Sequence, residues 1–489
     1  MSGVSGASSS YTSVDMGSAQ QAFLQRYPAY AQTAVLDRLR QSDFGRLDRL
    51  DEVYLDYTGG GLYAESQLRQ HHDLLRASVL GNPHSNNSTS MASAQLVAEA
   101  RAAVREFFNA SEDEYEVIFA ANASGALKLV GEAYPFAPGA TLLLSYDNHN
   151  SVNGLREFAR RKGALVTYVP VRKPELRLDE ELLRRALAGA MVSSDRLFAY
   201  PAQSNFSGVQ HPLEWVAEAQ AAGWDVLLDC AAYVPTNRLD LNAVKPDYVA
   251  LSFYKTFGYP TGIGVLLARR AKLAKLTRPW FAGGTITVVS VQDEGWYRLA
   301  PGAQGFEDGT VDYLGLPAVT IGLQYLKRIG IETVHTHAAA LAGWLLEAMA
   351  DLRHSNGAPM VRVFGPTRTD RRGATIALLL LDPSGHPCDV YAVEAAAGRE
   401  QISIRSGCFC NPGDGEVAHE ITREDMERCF HDPGAVVTLR QCQQIIEDAT
   451  GKILNTIRLS LGLVSNFADV YRFMAFAASF RDRVAGPGV

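Results

Sequence analysis

The sequence predicts an α/β protein, with a mainly parallel sheet in a large domain followed by a smaller α+β C-terminal domain. Two observations carry this. Through the first two-thirds of the chain, short apolar runs bounded by turn residues alternate with longer helical stretches, the pattern of a parallel sheet covered on both faces. After about Pro317 that alternation gives way to long helical stretches and then isolated apolar runs.

Taken in order, residues 1–20 are rich in Ser and Gly and read as a disordered lead-in. Residues 21–50 mix apolar and polar positions at helical spacing and read as a helical segment packing with the small domain. The large domain is expected over 51–320. It opens with DEVYLDYTGGG (Asp51 to Gly61), a short strand running into a glycine turn. VIFAA (Val117 to Ala121) and TLLLSYD (Thr141 to Asp147) each precede a helical stretch, and LFAYPAQ (Leu197 to Gln203), DVLLDCA (Asp225 to Ala231) and DYVALSF (Asp247 to Phe253) are further short strands. The small domain, 321–489, is expected to hold the helical stretch Thr333 to Arg353 and the strands TIALLLLD (Thr375 to Asp382) and ISIRSG (Ile402 to Gly407).

Composition narrows the function classes. Of 489 residues, 47% are hydrophobic and 20% charged, and the formal net charge is −7. An acidic chain without a long basic run is a poor binder of nucleic acid or of anionic membrane. No apolar run approaches the roughly 18 residues of a membrane helix, and no charged-then-apolar leader opens the chain. Six cysteines in this length are no disulfide framework, so a reducing cytoplasm is the expected setting.

In open parallel sheets ligands bind beyond the carboxyl ends of the strands, so the residues following each strand are the candidates. After VIFAA come Asn122, Ala123 and Ser124, where a helix should begin; Ser124 reads either as a plain cap or as a phosphate donor. His149 follows TLLLSYD and Asn205 follows LFAYPAQ. Asp229 closes the apolar run DVLL, a costly place for an acid unless a cation or donor faces it. Lys255, one of only nine lysines, follows DYVALSF directly and precedes a Gly/Pro-rich loop. A lysine at the mouth of an apolar sheet has a lowered pKa that suits bond formation with an aldehyde, though a snorkelling surface lysine fits the residue types too. With Asp229 as the acid for a pyridine nitrogen, and Ser124 and Ser252 as a phosphate cradle, the set meets the needs of pyridoxal 5'-phosphate (PLP). CFC, Cys408 to Cys410, lies on a segment flanked by glycine and proline. It reads as a mobile nucleophile or as two bystander thiols; a metal site would need ligands that are not nearby.

The stretches YLDYTGGGLYAESQL, GNPHSNNSTS, VIFAANASGALKLVGEAYPF, DNHNSVNGLREFA, LFAYPAQSNFSG, DVLLDCAAYVPTNRLDL, SFYKTFGYPTGIGVLL, FAGGT, FEDGTVDYLGLPA, IRSGCFCNPG and IRLSLGLVSNFADVYRF together resemble the class V aminotransferase family of fold-type-I PLP enzymes, which includes the cysteine desulfurases. Within it the chain is most similar to the N-terminal desulfurase domain of molybdenum cofactor sulfurases. The resemblance implies that Lys255 binds the cofactor aldehyde, Asp229 keeps the pyridine nitrogen protonated, His149 stacks on the ring and Asn205 contacts its 3-oxygen and the substrate. It further implies that Ala123, Ser124 and Ser252 bind the phosphate, that Thr285 of FAGGT reaches the cradle of a homodimer partner, and that Arg405 clamps the substrate carboxylate. Position by position, the persulfide-carrying residue is Cys410, with Cys408 as the alternative; Cys230, Cys388, Cys429 and Cys442 read as structural. Three positions depart from the desulfurase pattern: Ser124 stands for threonine, Ala232 for glutamine and Tyr254 for histidine, the last two also as in the cofactor sulfurases. Gly413 is followed by Asp414 and Gly415, where those sulfurases often have another cysteine.

The implied activity is a PLP-dependent cysteine desulfurase that takes sulfur from L-cysteine as an enzyme persulfide, releases L-alanine and passes the sulfur to an acceptor protein or the molybdenum cofactor. The alternatives are another PLP lyase or aminotransferase with idle CFC thiols, and a silent scaffold.

Overall fold

The structure, a computed structural model, describes residues 11, 13–189, 195–430 and 437–484. Its centre is a seven-stranded sheet: β1 Tyr115–Ala120, β2 Thr141–Ser145, β3 Leu165–Val169, β4 Arg196–Pro201, β5 Asp225–Asp229, β6 Tyr248–Ser252 and β7 Gly264–Arg269. The spatial order is β1-β7-β6-β5-β4-β2-β3. All pairings from β6 through β3 are parallel, and β7 runs antiparallel to both β6 and β1.

Side chains along each strand alternate between two buried clusters. Val117, Leu143, Phe198, Leu228, Val249 and Val265 face one way, while Ile118, Leu142, Leu197, Leu227, Ala250 and Leu266 face the other. That alternation is the strand period of two, and burial on both faces is why these segments read as unbroken apolar runs. One face is covered by the helix Ala123–Ala133 through Ala126, Leu127 and Val130, together with Leu155 and Ala159 of the helix Leu155–Arg161.

A second sheet of four antiparallel strands follows: β8 Val361–Phe364, β9 Thr375–Leu380, β10 Arg405–Gly407 and β11 Thr456–Ser460, in the order β8-β9-β11-β10. The helix Leu316–Ile329 spans the residues where the sequence pattern changes, and the helix Ile331–Asp351 follows it. Two links tie the chain's start to this part: Val53–Tyr54 pairs with Ile402–Ser403, and Asp56 bridges to Ser460. The glycine turn lies against the lysine-bearing segment, and a Cβ on Gly61 would stand 2.9 Å from the Lys255 carbonyl oxygen. Only glycine admits that approach.

Two expectations are corrected. Of the disordered lead-in, residues 1–10 and 12 lie outside the described residues, but helix begins within it, at Ser13–Arg26. Tertiary packing supplies what the Ser/Gly composition lacks: Tyr11 meets Tyr471 edge-on at 5.2 Å, and Phe23 stacks on Phe467 at 4.9 Å. The residues after it are helical and dock on the C-terminal helices, Thr33 bonding His337 and Arg40 bonding Asp469. Second, one disulfide is present where a reducing setting was expected: Cys429 and Cys442 are joined. The fold brings their Cα atoms to 5.2 Å within a small cluster of Ile421, Ile446 and Leu454. Cys230, Cys388, Cys408 and Cys410 are free.

Candidate active site

Seven of the ten sequence-derived site residues, Ala123, Ser124, His149, Asn205, Asp229, Ser252 and Lys255, line one cavity of about 330 Å³ at the carboxyl ends of β1, β4, β5 and β6. Each arrives there because its strand ends there. The helix Ala123–Ala133 starts directly after β1, capped by Asn122, whose Oδ1 accepts from Gly125 N–H at 2.9 Å. Ala123 N–H donates to Ser252 Oγ at 2.7 Å, and the Ser124 and Ser151 hydroxyls are 2.5 Å apart. Backbone N–H and three hydroxyls thus gather at the positive end of a helix dipole, a ready anion site.

Asp229 ends β5, is 8% exposed, and accepts from Ala231 N–H at 3.0 Å. Lys255 sits in the short helix Phe253–Phe257 that follows β6. Burial pushes its ammonium pKa down, Asp229 opposes this, and Arg458 adds to the lowering. His149 is likewise pushed down by burial, with Asp229 opposing; its Nδ1 accepts from Ser151 N–H at 3.1 Å. An anion cradle, a buried acid and a lysine held toward its neutral amine fit a phosphate, a protonated pyridine and an aldehyde. The donor set therefore suits PLP on chemical grounds.

Three site residues lie outside that lining. Thr285 is fully buried, and its hydroxyl closes on its own turn, accepting from Ala282 N–H and donating to Ala282 O, both at 2.8 Å. Arg405, on β10, is about half exposed and donates to Asp56 Oδ2 from Nε at 2.9 Å and from its terminal nitrogen at 2.6 Å. Cys410 is exposed on a turn, and its carbonyl accepts from Asn150 N–H at 2.7 Å, one residue after His149 of the cavity lining. Asn205 lines the cavity and also holds that turn: Nδ2 donates one hydrogen to Phe409 O at 2.7 Å, leaving its second, and Oδ1 accepts from Asn411 at 3.1 Å. Cys408 is half-buried, and burial raises its thiol pKa.

Sequence reasoning passed over Asp56 and Arg458. Arg458 is fully buried in β11, donates to Asp56 Oδ1 at 2.9 Å and to Asn205 O at 3.0 Å, and lies 4.7 Å over the Phe409 ring. Asp56 thus gathers two arginines from neighbouring strands beside Lys255. The available signal was an arginine inside the apolar run TIRLS, costly there without a partner. Among the described residues no group of three His, Cys, Asp or Glu side chains could hold a metal ion, and no helix is long and apolar enough to cross a membrane.

Residues 53–473 match the family Aminotransferase class-V. The chain belongs to that family. Within it, the chain is 33% identical to a molybdenum cofactor sulfurase of Bos taurus over 91% of its own length, and 31% identical to one of Solanum lycopersicum over 95%. It spans about half to three-fifths of these relatives, 52% and 60% respectively. Among solved structures, the family fold recurs in an apo cysteine desulfurase from Thermococcus onnurineus NA1. That match has a TM-score of 0.73 at 22% identity and covers 92% of this chain and 98% of that one. It recurs too in the Escherichia coli cysteine desulfurase CsdA in its S-sulfonic acid form, with a TM-score of 0.69 at 19% identity, covering 91% and 97%. The architecture is fold type I, with its mainly parallel central sheet.

Proposed function

We propose that this chain is a PLP-dependent cysteine desulfurase of the molybdenum cofactor sulfurase type. The reading rests on one observation above all: the lysine, the acid and the phosphate cradle share a cavity, and the turn that carries an exposed cysteine is bonded to Asn150 and to the lining residue Asn205. The identity of about a third to molybdenum cofactor sulfurases supports the same reading.

Ala123 N–H, Ser124 Oγ and Ser252 Oγ would hold the phosphate, Asp229 the protonated ring nitrogen, His149 the ring face and Asn205 the 3-oxygen, with Lys255 as the covalent anchor. When bound, PLP supplies an aldehyde for the substrate amine and a ring that withdraws electrons from its Cα. Lys255, held toward its neutral form by desolvation, would take up the Cα proton at Nζ. The substrate carboxylate meets a guanidinium, Arg405 by family position. Arg458 is the deeper of the two arginines on Asp56, so either must trade part of that ion pair for the substrate. The Cys410 thiolate would then attack the substrate sulfur: the new S–S bond makes a Cys410 persulfide as the C–S bond breaks, the C–S electron pair stays with the carbon skeleton, and that skeleton leaves as L-alanine after taking a proton from water at Cβ and the Cα proton back from Lys255. A thiolate suits this because it both attacks sulfur and stores it.

The acceptor would be a separate protein or the molybdenum cofactor, the setting cytoplasmic, and the assembly a homodimer with Thr285 near the partner's cradle. A run of exposed apolar side chains supports the dimer: Trp280, Val288, Val291 and Trp296 lie on and around the hairpin Ile286–Val289 and Tyr297–Leu299, with Val291 fully exposed.

The test is a pulse of L-cysteine to protein carrying PLP, with alanine measured and the extra sulfur mapped to a peptide. Alanine in step with a persulfide at Cys410 supports the reading. Pyruvate and sulfide without a protein-bound persulfide would replace it with a lyase.

A further inference from the structure

The segment after the CFC turn holds an acid that the reaction does not use. Asp414 lies in the helix Pro412–Ala418 and is fully buried, as is Asp147 after β2. Oδ2 of Asp414 accepts from Ser204 Oγ at 2.5 Å and from Ser207 Oγ at 3.2 Å; its Oδ1 has no partner. Asp147 Oδ2 meets His211 Nε2 at 2.6 Å, and its Oδ1 also has no partner. Neither acid is paired with a lysine or arginine among the described residues. The buried Arg372 guanidinium behind Ser207 is taken up by carbonyls, Ser207 O among them at 3.1 Å, and Arg458 by Asp56 and Asn205 O.

These two acids flank the joint that seats the cysteine turn. Asn411 Nδ2 donates to Asp147 O at 2.8 Å, and Asn411 Oδ1 caps the Pro412–Ala418 helix by accepting from Asp414 N–H at 3.2 Å. A Cβ on Gly413 would stand 1.9 Å from Tyr146 O, so the helix start is pressed onto the segment that leads to His149. The turn itself is costly: Phe409 and Cys410 both have φ of 55°, a region that non-glycine residues enter at a penalty, and Gly407 has φ of 123°. Something beneath must hold it.

We infer that Asp414, kept as a neutral acid against Asp147, is a positioning residue for Cys410: it seats the turn that carries the thiol, and its ionisation loosens that seat. Two ionised carboxylates in this enclosure would have one cationic candidate between them, His211, and that is bonded to Asp147. Burial first, and then Asp147, push the Asp414 carboxyl well above the ordinary carboxylate range. The sign follows: a raised acid holds its proton best in the docked form, so docking is fully favoured below the ordinary carboxylate range and weakens progressively as pH rises from there to that raised value. The inference rests on Cys410 being the sulfur-carrying thiol, but its test does not.

Hydrogen–deuterium exchange is followed in peptides covering 146–154 and 405–418 of the full chain, comparing wild type with Asp414→Asn at matched pH so that intrinsic exchange cancels. The wild-type to Asp414→Asn exchange ratio should rise roughly three-fold or more between about pH 6 and about pH 9. Asp147→Asn should attenuate that alkaline rise. In alanine release, wild type should lose kcat on the alkaline side with KM little changed, and Asp414→Asn should keep it. A wild-type to Asp414→Asn ratio flat across pH, or an Asp414→Asn turn already loose near about pH 6, overturns the inference. If exchange behaves as stated but no protein releases alanine, the desulfurase reading fails and this one stands.

Discussion

Lys255 shows how much one position can carry. Its side chain is half-buried, its ammonium is destabilised by desolvation, and Asp229 is the acid that partly offsets it. Lys255→Ala should therefore abolish borohydride-reducible attachment of PLP, measured by absorbance and intact mass, while leaving the far-UV spectrum unchanged. A reducible adduct surviving in that variant would move the anchor elsewhere. The two thiols should separate in the same way. Cys410 is exposed, whereas Cys408 is half-buried with a raised pKa. Cys410→Ser should lose persulfide and alanine while still binding PLP, and Cys408→Ser should keep most turnover. Sulfur mapped to Cys408 in the wild type, with Cys410→Ser still active, would reverse the assignment. The choice of Cys410 over Cys408 came from the family resemblance, while the strand-end position of Lys255 was legible in the residues themselves. Asp56 was not, since its meaning comes from Arg405 and Arg458, 349 and 402 residues away.

At the level of elements, the phosphate cradle depends on where one helix begins. Asn122 satisfies Gly125 N–H and fixes the first turn of Ala123–Ala133, leaving Ala123 and Ser124 at the cavity. Asn122→Ala should cost about 1 kcal/mol of local stability and weaken PLP retention several-fold, measured by equilibrium dialysis. Retention equal to wild type would mean that the cap does not set the cradle. The strands of the large sheet were readable as continuous apolar runs because both faces are buried. The lead-in was misjudged because Ser13–Arg26 has a Ser/Gly-containing sequence whose helix is secured by aromatic contacts to the far end of the chain.

Across the whole molecule, the N-terminal helices are fastened by Arg40, which is 7% exposed in its side chain. It reaches Asp469 Oδ2 at 2.6 Å and Val464 O at 2.8 Å. Removing one partner strands a buried charge, so Arg40→Ala should destabilise the fold by about 3–5 kcal/mol, read from denaturant unfolding. A loss within about 0.5 kcal/mol would show the contact to be incidental. The dimer reading has its own check: Val291→Asp with Trp296→Asp should yield monomers by sedimentation and release PLP more readily. Wild-type protein that is monomeric yet holds PLP firmly would end that reading.

Local periodicity was enough to give the sheet, its covering helices and the strand ends at which Ala123, Asp229 and Lys255 lie, because alternation and turn chemistry are written within a few residues of one another. Only the tertiary structure decided that Asp56 would hold Arg405 and Arg458, that Asn205 would grip the Phe409 carbonyl, that Cys429 would find Cys442, and that Asp414 would lie beside Asp147. Most of these contacts join segments far apart in the chain. Their energies come from burial and charge at the seam between two sheets, and no stretch of sequence holds both sides of that seam.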